Sequence, residues 1–190
     1  MIDDGQATDE ALLVLFANGD RAAAGVLTAR LTPRVYAHAF RLLGNRADAE
    51  DIAQEAMLRL WRIAPDWRQG EARVSTWLYR VVANLCTDRL RRSGRTTPLD
   101  SVAEPEDPAA TPVQSMQARL RAEALQEALN QLPDRQRQAV VLRHIEELAN
   151  PEIAEIMGIS VEAVESLTAR GKRRLSAALI QLREELGYVE

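Results

Sequence analysis

The chain has 190 residues, enough for one or two domains with hydrophobic cores, and its alanine, leucine, arginine and glutamate content favours helix. Its single cysteine excludes an intrachain disulfide and a cysteine-based zinc site. No apolar run approaches the roughly 20 residues of a membrane span, and the acidic N-terminus is unlike a signal peptide. We therefore expect a soluble, cytoplasmic protein with no cofactor and no metal.

The net charge of −4 conceals two basic patches. Residues 67–95 carry seven basic and two acidic side chains, and residues 166–174 carry four basic and none acidic. A nucleic-acid backbone attracts local positive charge and does not require a positive total. Both patches are therefore candidates for contact with nucleic acid.

Two helices are predicted at the start of the chain. Thr8 is a suitable N-cap for a helix that ends near Asn18, and Asp20 for one that ends near Leu43. Because proline lacks a backbone N–H, we expect the second helix to bend near Pro33.

A third and a fourth helix follow in the N-terminal part. Gly44-Asn45 is expected to end the second helix and begin the third, over roughly residues 46–63, with Pro65 closing it. After the loop PDWRQGEARV, Ser75 is expected to cap the long helix STWLYRVVANLCTDRLRR.

A proline-rich, acidic segment with no apolar periodicity divides the chain. This predicts a flexible linker at residues 95–112 between an N-terminal domain, residues 1–94, and a C-terminal domain, residues 113–190. In the C-terminal domain, a helix over residues 113–130 is predicted to break at Leu132-Pro133, and Asp134 is a suitable cap for the next helix.

The last part of the chain predicts a helix-turn-helix. Asn150 is expected to cap a short helix with Pro151 at its first position, Gly158 to end it, and Ser160 to cap a long final helix. A short helix, a tight turn and a second helix with this spacing are typical of DNA-binding modules, although a purely structural hairpin is the alternative.

The start of the final helix would face base edges, and its basic end would reach phosphates. The candidate DNA-binding residues are Ser160, Val161, Glu162, Glu165, Ser166, Thr168, Arg170, Lys172, Arg173 and Arg174. A glutamate can accept a hydrogen bond from cytosine, but it also suits the positive end of the helix dipole. For Glu162 the dipole role is at least as well supported as base reading.

The first basic patch combines arginines with aromatic residues, as surfaces that bind unpaired bases do. The candidate residues are Trp67, Arg68, Arg73, Ser75, Arg80, Asn84, Arg89, Arg91 and Arg92. Trp77 shares the apolar face of its helix and is interpreted as core.

The third helix carries an acidic surface that is either a solvated face or a partner-docking face. Its residues are Asp48, Asp51, Gln54, Glu55 and Arg59. Catalysis is not expected, because His38 and His144 stand alone and Cys86 is interpreted as a small core residue.

Four segments, in order, resemble the extracytoplasmic-function sigma factors, the compact two-domain members of the bacterial sigma-70 family. They are DAEDIAQEAMLRLWR, STWLYRVVANLCTDRLRR, LNQLPDRQRQAVVLR and the helix-turn-helix, and the resemblance spans about residues 9–182. It implies a protein that binds core RNA polymerase and promoter DNA and that is controlled by an anti-sigma factor.

The resemblance also implies a role for each surface. The acidic face of the third helix would dock on the polymerase clamp helices, and the first basic patch would melt the −10 element. The helix-turn-helix would read the −35 element. Gly171, which is unfavourable inside a helix, is expected to allow close approach to a phosphate or to the polymerase surface.

Two other functions fit parts of the pattern. A sigma-like decoy would titrate an anti-sigma factor without initiating transcription. A conventional repressor or activator would bind duplex DNA through the C-terminal domain alone.

Overall fold

A computed structural model describes residues 7–68, 70, 72–93 and 112–185 of the chain. Residues 95–111 of the predicted linker lie outside this part, and so do the last five residues of the sequence. Within the described ranges, no helix combines the length and the apolar character that a bilayer span requires.

The described residues form helices without any strand, which confirms the predicted all-α class. One 3₁₀ turn, Ala64–Asp66, joins the third helix to the loop before the fourth. The α-helices of this part are α1 Asp9–Ala17, α2 Arg21–Leu43, α3 Arg46–Ile63, α4 Val74–Ser93, α5 Pro112–Asn130, α6 Asp134–His144, α7 Asn150–Met157 and α8 Val161–Glu185.

Local sequence signals set most of the helix ends. The side chains of Thr8, Asp20, Asn45 and Ser160 each accept a hydrogen bond from a backbone N–H in the first turn of the helix that follows. Gly44 and Gly158 adopt φ values of 67° and 62°, the left-handed conformation in which glycine ends a helix without a steric penalty. These contacts confirm the helix ends that were predicted at these residues.

The expected cap at Ser75 is wrong, because α4 begins one residue earlier at Val74. The backbone N–H of Val74 donates to the carboxylate of Glu10 at 2.9 Å. A side chain that is distant in the sequence therefore satisfies the first donor of α4. The second helix is continuous through Pro33.

Two more expected caps are wrong. Asp134 is the first residue of α6 and makes no capping hydrogen bond; its carboxylate lies 3.7 Å from the Arg137 guanidinium. Asn150 is the first residue of α7, and the N–H that precedes it, on Ala149, donates to the Glu152 carboxylate at 3.1 Å. At the start of α7 the carboxylate of Glu152, and not the side chain of Asn150, therefore accepts the capping hydrogen bond.

The two halves of the chain share apolar packing. The N-terminal core of α1–α4 is continuous with Leu129 of α5, Leu132 of the turn before α6, and Val140 and Val141 of α6. Conversely, Tyr79 and Ala83 of α4 belong to the cluster that fills the helix-turn-helix. The halves therefore contact each other through buried surface in this structure.

A buried arginine reinforces this contact. Arg137 of α6 donates to the backbone carbonyls of Leu42 in the N-terminal half and of Asn130 and Leu132 in the C-terminal half. Burial lowers the pKa of Arg137 from its ordinary value. The carbonyl oxygens offset the cost of desolvating the guanidinium, so the arginine joins the end of α2 to the turn before α6.

Gly171 lies at the crossing of α6 and α8 and is buried. A Cβ atom added there would lie 2.5 Å from a Val140 methyl and 3.0 Å from the Gln136 carbonyl oxygen. The close approach that this glycine permits is therefore to α6, and the expectation of a phosphate or polymerase contact is wrong. Glycine lets the two helices pack with their backbones unusually close.

We predict that Gly171→Ala destabilises the protein by about 1–3 kcal/mol, because α6 must move to admit the methyl group. Urea denaturation followed by circular dichroism measures this change. The matched control is Gly25→Ala inside α2, where nothing lies within 4 Å of the added carbon. That change is expected to stabilise by about 0.5–1 kcal/mol, since alanine is the better helix former. Equal effects at both positions would contradict the packing role.

Candidate functional site

The acidic face of α3 is largely solvent-exposed, and its charges are already paired within the chain. Glu55 accepts a hydrogen bond from Arg59 at 2.7 Å, one turn further along the helix. This bond lowers the pKa of Glu55 below its ordinary value. Gln54 is exposed and no hydrogen bond is described for it. The face thus presents carboxylate, amide and guanidinium groups together to a partner.

An apolar groove lies beside this face, between α2 and α3. Its volume is about 600 Å³, and Leu58 at its rim is 44% exposed. The lining residues are Thr28, Ala29, Thr32, Pro33, Tyr36, Glu50, Ala53, Gln54, Met57, Leu58 and Trp61. The sequence did not indicate a groove, because the α2 residues that complete it come from another element.

Arg89 connects two predicted sites. It was assigned to the DNA-binding patch, yet its guanidinium donates to Asp48 at 2.8 Å and to Asp51 at 3.4 Å. Its side chain is 39% exposed, whereas that of Asp51 is 67% exposed. The structure therefore brings the acidic face of α3 into direct contact with the basic helix α4.

Exposed polar residues form a stripe along α4 that begins at the residue before the helix. Arg73, Arg80, Asn84 and Arg91 are separated by seven, four and seven positions, which places them on one side of a helix. All four are exposed, and Arg91 also pairs with Asp88 at 3.0 Å. Arg68 and Arg92 are exposed as well, and Ser75 is half-buried. A negatively charged strand could lie along this stripe.

The two tryptophans near the start of α4 pack edge to face, with ring centroids 6.2 Å apart. Trp67 follows the 3₁₀ turn and is half-buried against the N-terminal core. Its indole nitrogen is buried and has no hydrogen-bond partner within the described residues. Trp77 also packs against the core, as interpreted from its position in the sequence.

The reading helix α8 presents most of its candidate residues to solvent. The exposed ones are Ser160, Glu162, Glu165, Arg170, Lys172, Arg173 and Arg174, whereas Val161 and Ser166 are half-buried. The hydroxyl of Thr168 is buried without a described partner, so it faces the domain interior and not the exposed side. Acidic residues near the helix start and basic residues further along therefore share an open surface.

The carboxylate of Glu162 takes part in the N-terminal cap of α8. Hydrogen bonds from its own backbone N–H and from Ser160 lower the pKa of Glu162 below its ordinary value. Such contacts favour the dipole and capping role over base reading. No equivalent contact is described for Glu165, which leaves that carboxylate available to an outside donor.

Two family models match the chain in the order of these surfaces. Sigma-70 region 2 matches residues 27–96, and Sigma-70, region 4 matches residues 122–175. The first contains α3, the loop and α4, and the second contains the helix-turn-helix.

Curated relatives and a solved structure are similar to this chain in agreement with the two family matches. The ECF RNA polymerase sigma factor SigE of Mycolicibacterium smegmatis is 37% identical over 85% of this chain, which spans 65% of that protein, just under two thirds of its length. SigW of Bacillus subtilis is 34% identical over 78% of this chain and 84% of that protein. The structure of CnrH in complex with the cytosolic domain of CnrY has a TM-score of 0.63 and 27% identity, and covers 91% of this chain and 97% of that chain.

Both matched regions define a transcription initiation factor of the sigma-70 class. Within that class, the chain belongs to the ECF RNA polymerase sigma factors. This membership confirms that the protein is not an enzyme. A repressor that binds DNA through its helix-turn-helix alone would not account for the match of the N-terminal half to region 2.

We predict that Arg89 and Asp48 stabilise the packing of α3 on α4 by about 0.5–1 kcal/mol, as expected for a partly exposed ion pair. A double-mutant cycle with Arg89→Ala and Asp48→Ala, measured by urea denaturation, gives this coupling. The cycle with Asp51→Ala is the control, because Asp51 is more exposed and its contact is longer. Equal coupling at both carboxylates would contradict this geometry.

Proposed function

We propose that this protein binds core RNA polymerase in the cytoplasm, recognises and melts specific promoters, and so initiates transcription. The observation that supports this most directly is the pair of exposed basic surfaces in one chain. One is the stripe along α4. The other is the basic stretch of α8, the second helix of the helix-turn-helix. Each lies in a segment that matches a sigma-70 region.

The α3 face and the adjacent groove are the proposed polymerase-docking surface. Asp48, Asp51, Gln54, Glu55 and Arg59 supply its polar contacts. The groove adds an apolar centre bordered by polar groups, which is the usual composition of a protein interface. Leu58 at the rim is positioned to enter a pocket on a partner or to cover one of its apolar side chains.

The α4 surface is the proposed binding surface for the −10 element of the promoter. Arg73, Arg80 and Arg91 would follow the backbone of the melted strand, while Trp67 and the loop before α4 would contact an extruded base. Arg89 would act indirectly, by holding α4 against α3.

The helix-turn-helix is the proposed binding surface for the −35 element of the promoter. Arg170, Lys172, Arg173 and Arg174 are exposed and would contact phosphates, which contributes affinity without sequence information. Glu165 is the proposed base-reading carboxylate, and Ser160 and Glu162 mainly organise the start of α8. Val161 and Ser166 lie between these groups.

A protein partner is proposed as well. CnrH, which resembles this chain over most of its length, was solved with the cytosolic domain of CnrY bound. By analogy, an anti-sigma factor would bind this protein and block its access to polymerase. The comparisons give no support to a decoy that never initiates transcription, since the relatives above bear the names of sigma factors.

We expect the purified protein with core polymerase to yield promoter-specific transcripts from a genomic fragment library. Leu58→Glu should weaken binding to core polymerase at least tenfold, because it places a charge in the apolar groove. The matched control is Leu120→Glu on α5, where the apolar side chain is 41% exposed against 44% for Leu58, and this variant should bind as the unmodified protein does. If no fragment gives a specific transcript, the proposed function fails.

We expect Glu165→Lys to change which bases are selected at one or two positions of the −35 element, because lysine cannot accept a hydrogen bond from cytosine. Selection from a randomised −35 library with the holoenzyme measures this. Glu162→Lys is the comparison, and it should alter affinity for all sequences alike. If Glu165→Lys does the same, Glu165 does not read a base.

A further inference from the structure

The end of helix α6 carries a basic surface that the predicted sites do not include. Arg143 and His144 are the last two residues of α6, and both are exposed to solvent. In the sequence, His144 stood apart from every other candidate residue. The tertiary structure places it beside α8, the second helix of the helix-turn-helix.

The crossing of α6 and α8 brings this surface to Lys172. Gly171 of α8 lies so close to Val140 of α6 that a Cβ atom would not fit between them. His144 is one helical turn beyond Val140, and Lys172 is the residue that follows Gly171. The close packing at the glycine therefore holds the end of α6 next to an exposed lysine of α8.

Three cationic or titratable side chains thus converge from two helices. We call Arg143, His144 and Lys172 the α6–α8 cluster. Partial desolvation lowers the pKa of His144 below its ordinary value, and the positive charges of Lys172 and Arg143 lower it further. The imidazole is therefore mainly neutral at pH 7 in the free protein.

The acidic residues near the cluster are directed elsewhere. The charges that act on the imidazole are those of the other two cluster residues, and no carboxylate of the described chain is among them. The Glu146 carboxylate accepts a hydrogen bond from Tyr79 of the N-terminal half at 2.6 Å. Glu147 is exposed, and Glu152 of α7 accepts from the backbone N–H of Ala149. Within the part of the chain that the structure describes, the cluster therefore lacks a counter-charge.

Arg143 is held in place by the loop that follows α6. Its guanidinium donates to the Leu148 carbonyl at 2.9 Å, while the side chain stays exposed. This contact uses one of the five N–H donors of an arginine. The guanidinium is thus fixed in position with donors left for an anion from outside the chain.

Lys172 lies on the side of α8 that also carries Glu165. The two residues are seven positions apart, which is two helical turns or about 10 Å along the axis. Both are exposed, and Glu165 is the proposed base-reading carboxylate. A duplex whose major groove receives the start of α8 would place a sugar-phosphate strand beside that groove, next to the cluster.

A phosphate group fits the chemistry of the cluster. Guanidinium and ammonium groups donate to phosphate oxygens, and a protonated imidazole adds a further N–H donor and a further charge. Beside two cations, the imidazole gains a proton readily only when a negative charge compensates them. An anion that binds here would therefore raise the pKa of His144 again.

We propose that the α6–α8 cluster binds one backbone phosphate of the promoter duplex beside the −35 element, and that His144 takes up a proton as the phosphate binds. This inference rests on the proposed function of the helix-turn-helix. It adds that the affinity for DNA depends on pH through a single side chain. Because a phosphate carries no sequence information, the contact strengthens binding to every duplex alike.

The direction of the pH dependence follows from the two states of His144. In the free protein, the lowered pKa keeps the imidazole neutral until the solution is acidic. In the complex, the phosphate holds the proton up to a higher pH. The affinity for DNA therefore rises as the pH falls through neutrality, and it levels off where the free protein is protonated as well.

The test measures binding of the full-length protein to a labelled duplex oligonucleotide of arbitrary sequence, by fluorescence anisotropy at low salt. The unmodified protein should bind about fivefold more tightly at about pH 6 than at about pH 8. His144→Gln should remove most of this difference, because glutamine stays neutral. Equal affinities of the unmodified protein at both pH values would overturn the proposal, and so would a pH dependence that persists in folded His144→Gln.

A pair of lysine variants separates a local site from a general effect of charge. His144→Lys should bind at about pH 8 at least as tightly as the unmodified protein does at about pH 6, because its charge is permanent. Gln131→Lys is the matched control, since it adds the same charge on an exposed side chain at the opposite end of α6. It should change the affinity by less than about twofold. Equal gains from both lysines would overturn the site.

Nuclear magnetic resonance follows the proton directly. The chain has two histidines, and His38 is fully buried, so the imidazole signals of His144 can be identified by their loss in His144→Gln. Titration of the free protein and of the duplex complex should give a higher pKa for His144 in the complex. An unchanged pKa would overturn the proposal even if His144→Gln weakened binding.

These measurements need neither polymerase nor a known promoter. A failure of transcription with a pH-dependent duplex contact would therefore count against the proposed function alone. Promoter-specific transcription with a pH-independent duplex contact would count against the α6–α8 cluster alone. If His144→Gln weakens binding to core polymerase and leaves duplex binding unchanged, the cluster contacts protein instead of DNA and the proposal fails.

Discussion

The structure depends on how helix α4 divides its surface among three neighbours. Leu78, Val82 and Cys86 lie in the N-terminal core, Tyr79 and Ala83 lie against the helix-turn-helix, and the polar stripe faces solvent. With 3.6 residues per turn, each set occupies its own third of the circumference. A change in the position of α4 therefore changes the core, the contact between the halves and the exposed basic surface together.

Electrostatic contacts fix α4 on two sides. Arg89 holds it against α3 through Asp48 and Asp51, and the Tyr79 hydroxyl holds it against the C-terminal half through Glu146. The first contact is partly exposed and contributes modestly, whereas the second is buried and polar. A partner that engages the α3 face thus acts on a helix that is linked to both predicted DNA-binding modules.

Local signals in the sequence predicted the elements of the fold well. Local sequence was enough to predict several helix ends, because each cap depends only on residues within a few positions. These are the caps at Thr8, Asp20, Asn45 and Ser160 and the glycine at 158. The prediction failed where a partner from elsewhere supplied the contact. Glu10 serves the start of α4, and α6 occupies the space that Gly171 leaves open.

The polymerase-binding and DNA-binding surfaces were each predicted from the pattern of a single helix. The sequence therefore supplied the residue types of these surfaces but not their arrangement in space. It did not indicate that Arg89 turns towards Asp48, that Thr168 turns inwards, or that Leu58 borders a groove. Each of these depends on a second helix, whose placement no local pattern specifies.

By itself, the sequence determined an all-helical chain with two basic patches, an acidic helix face and a helix-turn-helix, because periodicity, capping and charge are properties of neighbouring residues. Only the tertiary structure decided that Glu146 meets His38, Arg41 and Tyr79, which lie 67 or more positions away in the chain. Contacts at that separation follow from how whole helices pack, and the closed arrangement of the two halves is their consequence.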